Sequence, residues 1–273
     1  MRVLLTGAAG HIGSVLAQRL DDEHELRGLD LRPAPQSWTG QYVVGDCADP
    51  DVAHSAMAGM DAVIHLAGVP TETDLPTILH SHVESTAALL DAMVTHGTAR
   101  MVYASSNHAV GMTPRADIPE DQSLATTVRP RPDTFYGVGK VAAEALLSLY
   151  ADRHRISSVA MRIGSFLERP TSRRNLATWL SYDDCAAMVR AALTSDVDGF
   201  LPIYGISANT GGWWDLEPGR QIGYRPADDA SRFLADLPTL PADAAEGARV
   251  GGPYATDDYT RRPFARGHTE ESG

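Results

Sequence analysis

Tyr136 and Lys140 lie four positions apart at the head of an apolar-periodic run, TFYGVGKVAAEALL, residues 134–147. On a helix that spacing makes the two side chains neighbours on one face. A phenol beside a fixed cation ionises more readily, so the pair has the makings of a general base. Chance also produces such pairs, as a tyrosine at a helix start and a solvated lysine, so the rest of the chain has to decide. A second stretch with chemical content is TGAAGHIG, residues 6–13, carrying Gly7, Gly10 and Gly13. Glycines let a backbone approach a pyrophosphate, and a helix N-terminus offers it free N–H groups. A third is RIGSFLERPTSRRN, with Arg162, Arg169, Arg173 and Arg174. A guanidinium fork matches a carboxylate bidentately, and in an acidic protein such a cluster is well suited to face an anion.

These groups need a frame. RVLLT (2–6), ELRGL (25–29), QYVV (41–44), AVIHL (62–66), RMVYAS (100–105), SSVAMRI (157–163) and FLPIYG (200–205) are short apolar runs that predict strands. Helical spacing recurs between them: Ile12, Val15, Leu16 and Leu20, then residues 75–96 with Leu75, Ile78, Leu79, Val83, Leu90 and Met93, then residues 136–152. Another helix follows Ser181, where Ser-Tyr-Asp-Asp184 reads as a capping box. Buried strands joined by helical crossovers predict an α/β fold with a doubly wound parallel sheet. The expected division is a dinucleotide-binding Rossmann core over 1–165, a small C-terminal substrate-binding region over 166–236, and an arm over 237–273. Proline, glycine and charge dominate that arm, which predicts a loop-rich or partly disordered tail.

Composition narrows the partners. The 273 residues carry a net charge of −12, which disfavours nucleic acid and anionic membranes. It leaves room for a small acidic substrate wherever the site supplies its own cation. No apolar run approaches a membrane span, and MRVLLTGAAG reads as a strand entering a turn, not as a leader. Cys47 and Cys185 form no CxxC or His-Cys cluster, so neither zinc nor another metal is expected, and the chain fits a reducing cytoplasm.

The glycine motif stands directly after the first strand and before the first helix, the context a dinucleotide site requires. Asp30 ends the second strand, 17 positions after Gly13. A carboxylate there accepts from the ribose hydroxyls and repels a 2′-phosphate, which points to NAD; Arg32 pulls the other way. The expected cofactor set is Gly7, Gly10, His11, Ile12, Gly13, Asp30, Asp46, Cys47, Leu66, Ala67, Gly68, Tyr136, Lys140 and Ile163. Within it, Asp46 reads equally well as an ordinary turn aspartate. His65 reads as a packed histidine.

TGxxGxxG, the serine pair Ser105-Ser106 and YxxxK, in that order, resemble the extended short-chain dehydrogenase/reductase family, over most of the chain to about residue 236. The resemblance implies that Tyr136 is the acid/base, that Lys140 bonds the nicotinamide ribose and lowers the phenol's pKa, and that Ser106 orients the substrate oxygen. Moving a phenol from ~10 to ~7 takes about 4 kcal/mol, within reach of an adjacent buried cation. SSNHAVGM (105–112), RPDTFYGVGK (131–140), RIGS (162–165), RRNLATWLSYDD (173–184) and GISANTGGWWD (205–215) are similar to the uronate dehydrogenases of that family. Those oxidise ring-form glucuronate or galacturonate at C1 with NAD, giving an aldarolactone. Ser106, Asn107, His108, Ser165 and Arg174 would then touch a small-molecule sugar acid, and family members commonly pair into homo-oligomers through the tyrosine-bearing helix.

The chain departs from the family pattern in three places. His82-Val-Glu-Ser-Thr86 stands where extended members usually read Asn-x-x-Gly-Thr, and His82 falls on an apolar face, as a structural residue or a substitute for the asparagine. Val69-Pro70-Thr71 stands where a substrate-contacting serine is expected, and the stretch between Ser106 and Tyr136 is long, which predicts a lid or surface loop. Trp213 and Trp214 read as core or interface. Two other functions fit the motifs. A nucleotide-sugar epimerase or dehydratase would need a larger C-terminal region, and a non-catalytic NAD-binding redox sensor would have no use for Tyr136 and Lys140.

Overall fold

The central strands are apolar on both faces, which an all-parallel sheet covered by helices on either side requires. In the computed structural model, which describes residues 1–119 and 122–264, Val3, Leu4 and Leu5 of β1 (Arg2–Thr6) have no exposed surface. The first half continues with α1 (His11–Leu20), β2 (Glu25–Asp30), β3 (Gln41–Val44), α2 (Pro50–Met57) and β4 (Ala62–His65). A long helical crossover, α3 (Leu75–Ile78) and α4 (Ser85–His96), leads to β5 (Arg100–Ser106). The second half holds α5 (Phe135–His154), β6 (Ser157–Ile163), the short ladder of β7 (Ser165–Phe166) with β8 (Trp179–Leu180), α6 (Asn175–Thr178), α7 (Tyr182–Thr194) and β9 (Phe200–Gly205).

Seven strands pair in parallel in the order β3-β2-β1-β4-β5-β6-β9. The order reverses between β1 and β4, and the crevice outside the carboxyl ends at such a reversal is where doubly wound sheets hold ligands. One core, around Leu5, Leu16 and Val189, packs α1 and α7 on one face; the other, around Leu4, Leu90 and Leu147, packs α2, α4 and α5 on the opposite face. A third cluster of Val110, Ile118, Leu124, Tyr204, Trp214 and Val250 joins the stretch after β5 to the C-terminal part of the chain.

Several expectations change in detail. The predicted 75–96 helix is not uniform: Leu79–Glu84 is a six-residue π-helical turn between α3 and α4. Ser181 caps α7 by accepting from the Asp184 N–H at 3.0 Å, but Asp184 does not reach back as a capping box would. Its buried carboxylate instead accepts from the N–H groups of Ala227 (2.8 Å) and Asp228 (3.1 Å), which anchors a distant loop. The long stretch between Ser106 and Tyr136 and the C-terminal arm, expected as separate loops, are stitched together. Arg115 N–H donates to Ala248 O at 2.8 Å, Val250 N–H to Thr113 O at 3.1 Å, and Gly251 N–H to Gly111 O at 2.8 Å. Residues 265–273 of the expected arm lie outside the described residues. Among the described residues no helix is long and apolar enough to cross a membrane, and no group of His, Cys, Asp and Glu could hold a metal ion.

Candidate functional site

The glycine turn leads β1 into α1. Gly7 has φ +68°, a conformation that disfavours a side chain, and a Cβ there would lie 2.8 Å from Ala67 N. A Cβ on Gly13 would fall inside the contact distance of Gly7 O and 2.9 Å from the Ala8 backbone. Gly10 caps α1 without any side-chain bond, so the first N–H groups of the helix stay open. A tight turn with bare donors at its mouth fits a dinucleotide pyrophosphate. His11, in that turn, lies 2.7 Å from the Tyr182 hydroxyl through Nε2, and Ile12 packs against the core beneath.

Asp30 closes β2 with its side chain 10% exposed. Its carboxylate accepts from Ala9 N–H (3.0 Å) and Arg32 N–H (2.9 Å), while the Arg32 side chain, 63% exposed, approaches to only 3.4 Å. Asp46 accepts from Ala48 N–H at 2.9 Å and pairs with His80 at 3.0 Å. Burial works against its charge, but those two bonds hold it below the ordinary carboxylate value. Burial pushes the neighbouring Cys47 thiol up to about 12. Leu66, Ala67 and Gly68 follow β4, with Ala67 N–H on Thr6 Oγ1 at 3.2 Å, and Ile163 ends β6. His65 is a packed histidine, spanning Thr6 (2.7 Å) and Thr86 (3.2 Å), and burial, with Lys140 adding, pushes it down to about 3.

At the carboxyl end of β5, the Ser106 hydroxyl accepts from His108 N–H at 3.2 Å. Thr134 caps α5 by accepting from Gly137 N–H at 3.0 Å and so presents Tyr136 in the first turn. Glu72, from the loop after β4, accepts from the N–H groups of Phe135 (3.2 Å) and Tyr136 (2.7 Å) and completes that helix end. Lys140 Nζ is buried 5.3 Å from the Tyr136 ring centroid and donates to Ala104 O at 2.7 Å. Burial pushes the ammonium down to about 7, with Glu144 acting against it. Burial pushes the Tyr136 phenol up to about 12, which Ser106 opposes and Asp133 reinforces. The sequence expectation was a phenol below its ordinary value. In this structure desolvation is the largest influence on the phenol, and Lys140 directs a proton at a backbone carbonyl.

Asn107 and His108 bring donors to the same place. Asn107 is buried and its Nδ2 has no partner. His108 Nδ1 lies 2.8 Å from Asp133, whose side chain has no exposed surface, so the other ring nitrogen is fixed in direction. His108, Tyr136, Thr134, Glu72, Thr71, Pro70 and Tyr254 line one cavity of about 50 Å3. Pro70 and Thr71 thus reach the site where a serine was expected. His82, in the π-helical turn, lies edge-on to Tyr136 with centroids 5.3 Å apart and bonds Val69 O at 3.0 Å. Burial, with Lys140 adding, pushes it down to about 2.

Ser165 begins β7, and Arg174 directly precedes α6. Ser165 Oγ bonds Thr178 Oγ1 (2.8 Å) and accepts from Asn175 Nδ2 (3.0 Å). Arg174 is half-buried under Gly252, where a Cβ would strike its guanidinium, and donates to Val250 O at 3.3 Å. Burial lowers its pKa, with Asp133 and Glu246 acting the other way. With Arg173, Thr178, Trp213 and Arg249 it lines a second cavity of about 190 Å3. Trp214 is core, its Nε1 donating to Ala177 O at 2.7 Å, and Trp213 stacks on it at 4.0 Å. Sequence reasoning missed Glu72, Asp133, Glu144 and Tyr254. Glu144 had a signal in its spacing from Lys140, and Asp133 in preceding a helix cap; Tyr254, far along the chain in a proline- and glycine-rich stretch, had none.

Residues 3–167 match the model of the NAD-dependent epimerase/dehydratase family. The uronate dehydrogenase of Pseudomonas putida is 37% identical over 93% of this chain and 95% of its own length. The NAD-dependent glucose-6-phosphate dehydrogenase of Haloferax volcanii is 36% identical over 85% of this chain and 95% of its own. The crystal structure of uronate dehydrogenase from Agrobacterium tumefaciens superposes with a TM-score of 0.86 at 35% identity, covering 93% of this chain and 96% of that one. A point variant of that enzyme has been solved with NAD.

Proposed function

We propose that this chain, which belongs to the NAD-dependent epimerase/dehydratase family, is a uronate dehydrogenase that oxidises the ring form of a hexuronate, glucuronate or galacturonate, at C1 to the aldarolactone. The observation that carries the reading is the convergence of Ser106, Asn107, His108 and Tyr136 at the carboxyl end of β5, with Lys140 buried against the Tyr136 ring and Arg174 lining a second cavity within the electrostatic influence of Asp133. NAD, when bound, supplies the acceptor for the two electrons and the hydrogen that leave C1. Gly7, Gly10 and Gly13 would hold its pyrophosphate, Asp30 its ribose and Lys140 its nicotinamide ribose. Asp46, Cys47, Leu66, Ala67, Gly68, His11, Ile12 and Ile163 complete the binding face.

The rest of the chemistry belongs to this chain. Tyr136 takes the proton of the C1 hydroxyl as phenolate, a form that burial disfavours, and Lys140 held as ammonium against the ring offsets that cost. Ser106 orients the C1 oxygen. Asn107 Nδ2 and the free nitrogen of His108 bond ring hydroxyls, and Asp133 fixes the histidine tautomer by occupying Nδ1. Ser165 and Arg174 hold the carboxylate, Arg174 through its planar fork.

A second reading has a specific support. A hexose 6-phosphate carries its anion on the same carbon, and the cavity beside Arg174 also holds Arg173, whose buried Nε has no partner. The Haloferax volcanii relative gives that reading weight. The epimerase and sensor alternatives have no comparable support. We place the enzyme in a reducing cytoplasm, in keeping with two free, buried cysteines. Assembly into a homo-oligomer would use the outer face of α5, where Val138 and Leu149 are 39% and 49% exposed. The test is NADH formation from glucuronate, galacturonate, glucose 6-phosphate and the neutral hexoses, with NAD and NADP in parallel. Turnover on uronates with NAD supports the proposal; turnover on the phosphate alone replaces it with the second reading.

A further inference from the structure

Glu144 lies one helical turn beyond Lys140 on α5 and has no place in the reaction as described so far. Its side chain is 6% exposed and that of its partner Arg162 is 4% exposed. Ser105 Oγ donates to Glu144 Oε1 at 2.5 Å, Arg162 Nε donates to the same oxygen at 3.0 Å, and Arg162 Nη2 donates to Oε2 at 2.7 Å. Arg162 Nη1 is spent on Thr126 O at 3.0 Å. Ser105 directly precedes Ser106, and Arg162 directly precedes Ile163. One carboxylate on α5 therefore pins two strand ends, each adjoining a residue assigned to the site. Burying two ions costs much of what their attraction returns, so this knot is weak evidence for stability and calls for another account.

The surroundings of Lys140 supply one. From the π-helical turn it faces His82, from β4 His65, and from β5 the Tyr103 ring at 5.0 Å and Ala104 O at 2.7 Å. On its own helix it faces Tyr136 and Glu144. Both histidines are held neutral by burial, and burial drives the Tyr103 phenol well above its ordinary value. Of all these groups, only Glu144 brings a negative charge to a lysine that burial pushes toward losing its proton.

We propose that Glu144 is a positioning residue for the reaction: fixed by Ser105 and Arg162, it is the counter-charge that keeps Lys140 an ammonium and sets Ser106 in register with Tyr136. The proposal rests on the assignment of Lys140 to the nicotinamide ribose and to the support of the phenolate.

Glu144→Gln keeps the shape and removes the charge. The alkaline descent of kcat is expected to move to lower pH by about one unit, with kcat at pH 8 falling about tenfold and KM changing little. A lowered melting temperature with a pH profile that superimposes on the parent's would make Glu144 structural only and overturn the proposal. The substitution strands Arg162 as a buried cation; should the single variant fail to fold, Glu144→Gln combined with Arg162→Met removes that cation and should show the same displacement. Absence of turnover in the parent would overturn the uronate reading without touching Glu144. In that event NAD affinity against pH, followed by protein fluorescence, carries the test. The variant should lose NAD at a lower pH than the parent, and coincident curves would overturn the proposal.

Discussion

The proposed cofactor side and the proposed substrate side of this molecule are built on different principles. The cofactor side is local: eight consecutive residues, TGAAGHIG, make a strand end, a turn and a helix start, and backbone geometry does the work. The substrate side is assembled from segments far apart in the chain. Glu72 and Thr71 come from the loop after β4, Asn107 and His108 from just after β5, Asp133 from just before α5 and Tyr136 from its first turn, Arg174 from just before α6 and Tyr254 from the C-terminal part. Side chains and buried charge pairs do the work there. The first region should tolerate little change of backbone, and the second little change of charge.

The sharpest way to separate the two is Tyr136→Phe. It removes the proposed proton acceptor and leaves the glycine turn untouched, so kcat should fall by ~10²–10⁴ while NAD affinity is kept. Fluorescence titration with NAD beside a steady-state assay reads both. Loss of NAD binding with loss of turnover would mean that the two regions are not separable at this residue.

The seam between the regions is the place to break the comparison. His65, behind the glycine turn, and His82, against Tyr136, are both buried and neutral, pushed down to about 3 and about 2. An unfolded histidine binds its proton near pH ~6.5 and the folded ones do not, so the unfolded state takes up more protons as pH falls. Their contribution is therefore fully present above pH ~6.5 and is lost as pH falls toward the folded values. At pH 5 each should cost about 2 kcal/mol. Melting temperatures between pH 7.5 and pH 5 should drop accordingly, and His82→Asn should remove about half of the slope. An unchanged slope would mean that His82 titrates freely and that the seam is open to water.

On the substrate side, Arg174→Ala should raise KM for a uronate by about 10- to 100-fold, the worth of a charge-assisted fork, with kcat less affected. KM for a neutral hexose should not move. A proportionate rise for both substrates would place the effect in the packing of Gly252 on the guanidinium, and the carboxylate would need another partner.

The same contrast decides what the sequence could disclose. The strands were legible because Val3, Leu4, Leu5 and their counterparts are apolar without alternation, and the glycine turn because its spacing is its mechanism. Tyr136 and Lys140 were legible as a pair, but the direction of the phenol's shift was not. That direction depends on how much water the surrounding segments exclude, and no spacing records it. The link from Gly111 and Thr113 to Val250 and Gly251 was hidden because its two halves are ordinary loop sequence until they meet. Asp184 completes a pattern that reads as a capping box, yet its carboxylate serves residues more than forty positions away.

The smallest expected effect tests the local half on its own ground. Asp30 already holds Ala9 N–H and Arg32 N–H, and the exposed Arg32 side chain stands beside it at 3.4 Å. Ala9 N–H and Arg32 N–H use different oxygens of the Asp30 carboxylate, so Asp30→Asn keeps one of the two bonds; it also removes the charge that repels a 2′-phosphate, which frees Arg32 to pair with it. Preference for NAD over NADP, as a ratio of kcat/KM, should narrow by about tenfold, or ~1.4 kcal/mol, with a small fall in melting temperature from the one bond lost. If the ratio holds while the protein destabilises, Asp30 serves chiefly to fasten the glycine turn, and discrimination must come from the shape of the loop after β2. That outcome would make even the cofactor side depend on packing that its motif does not record.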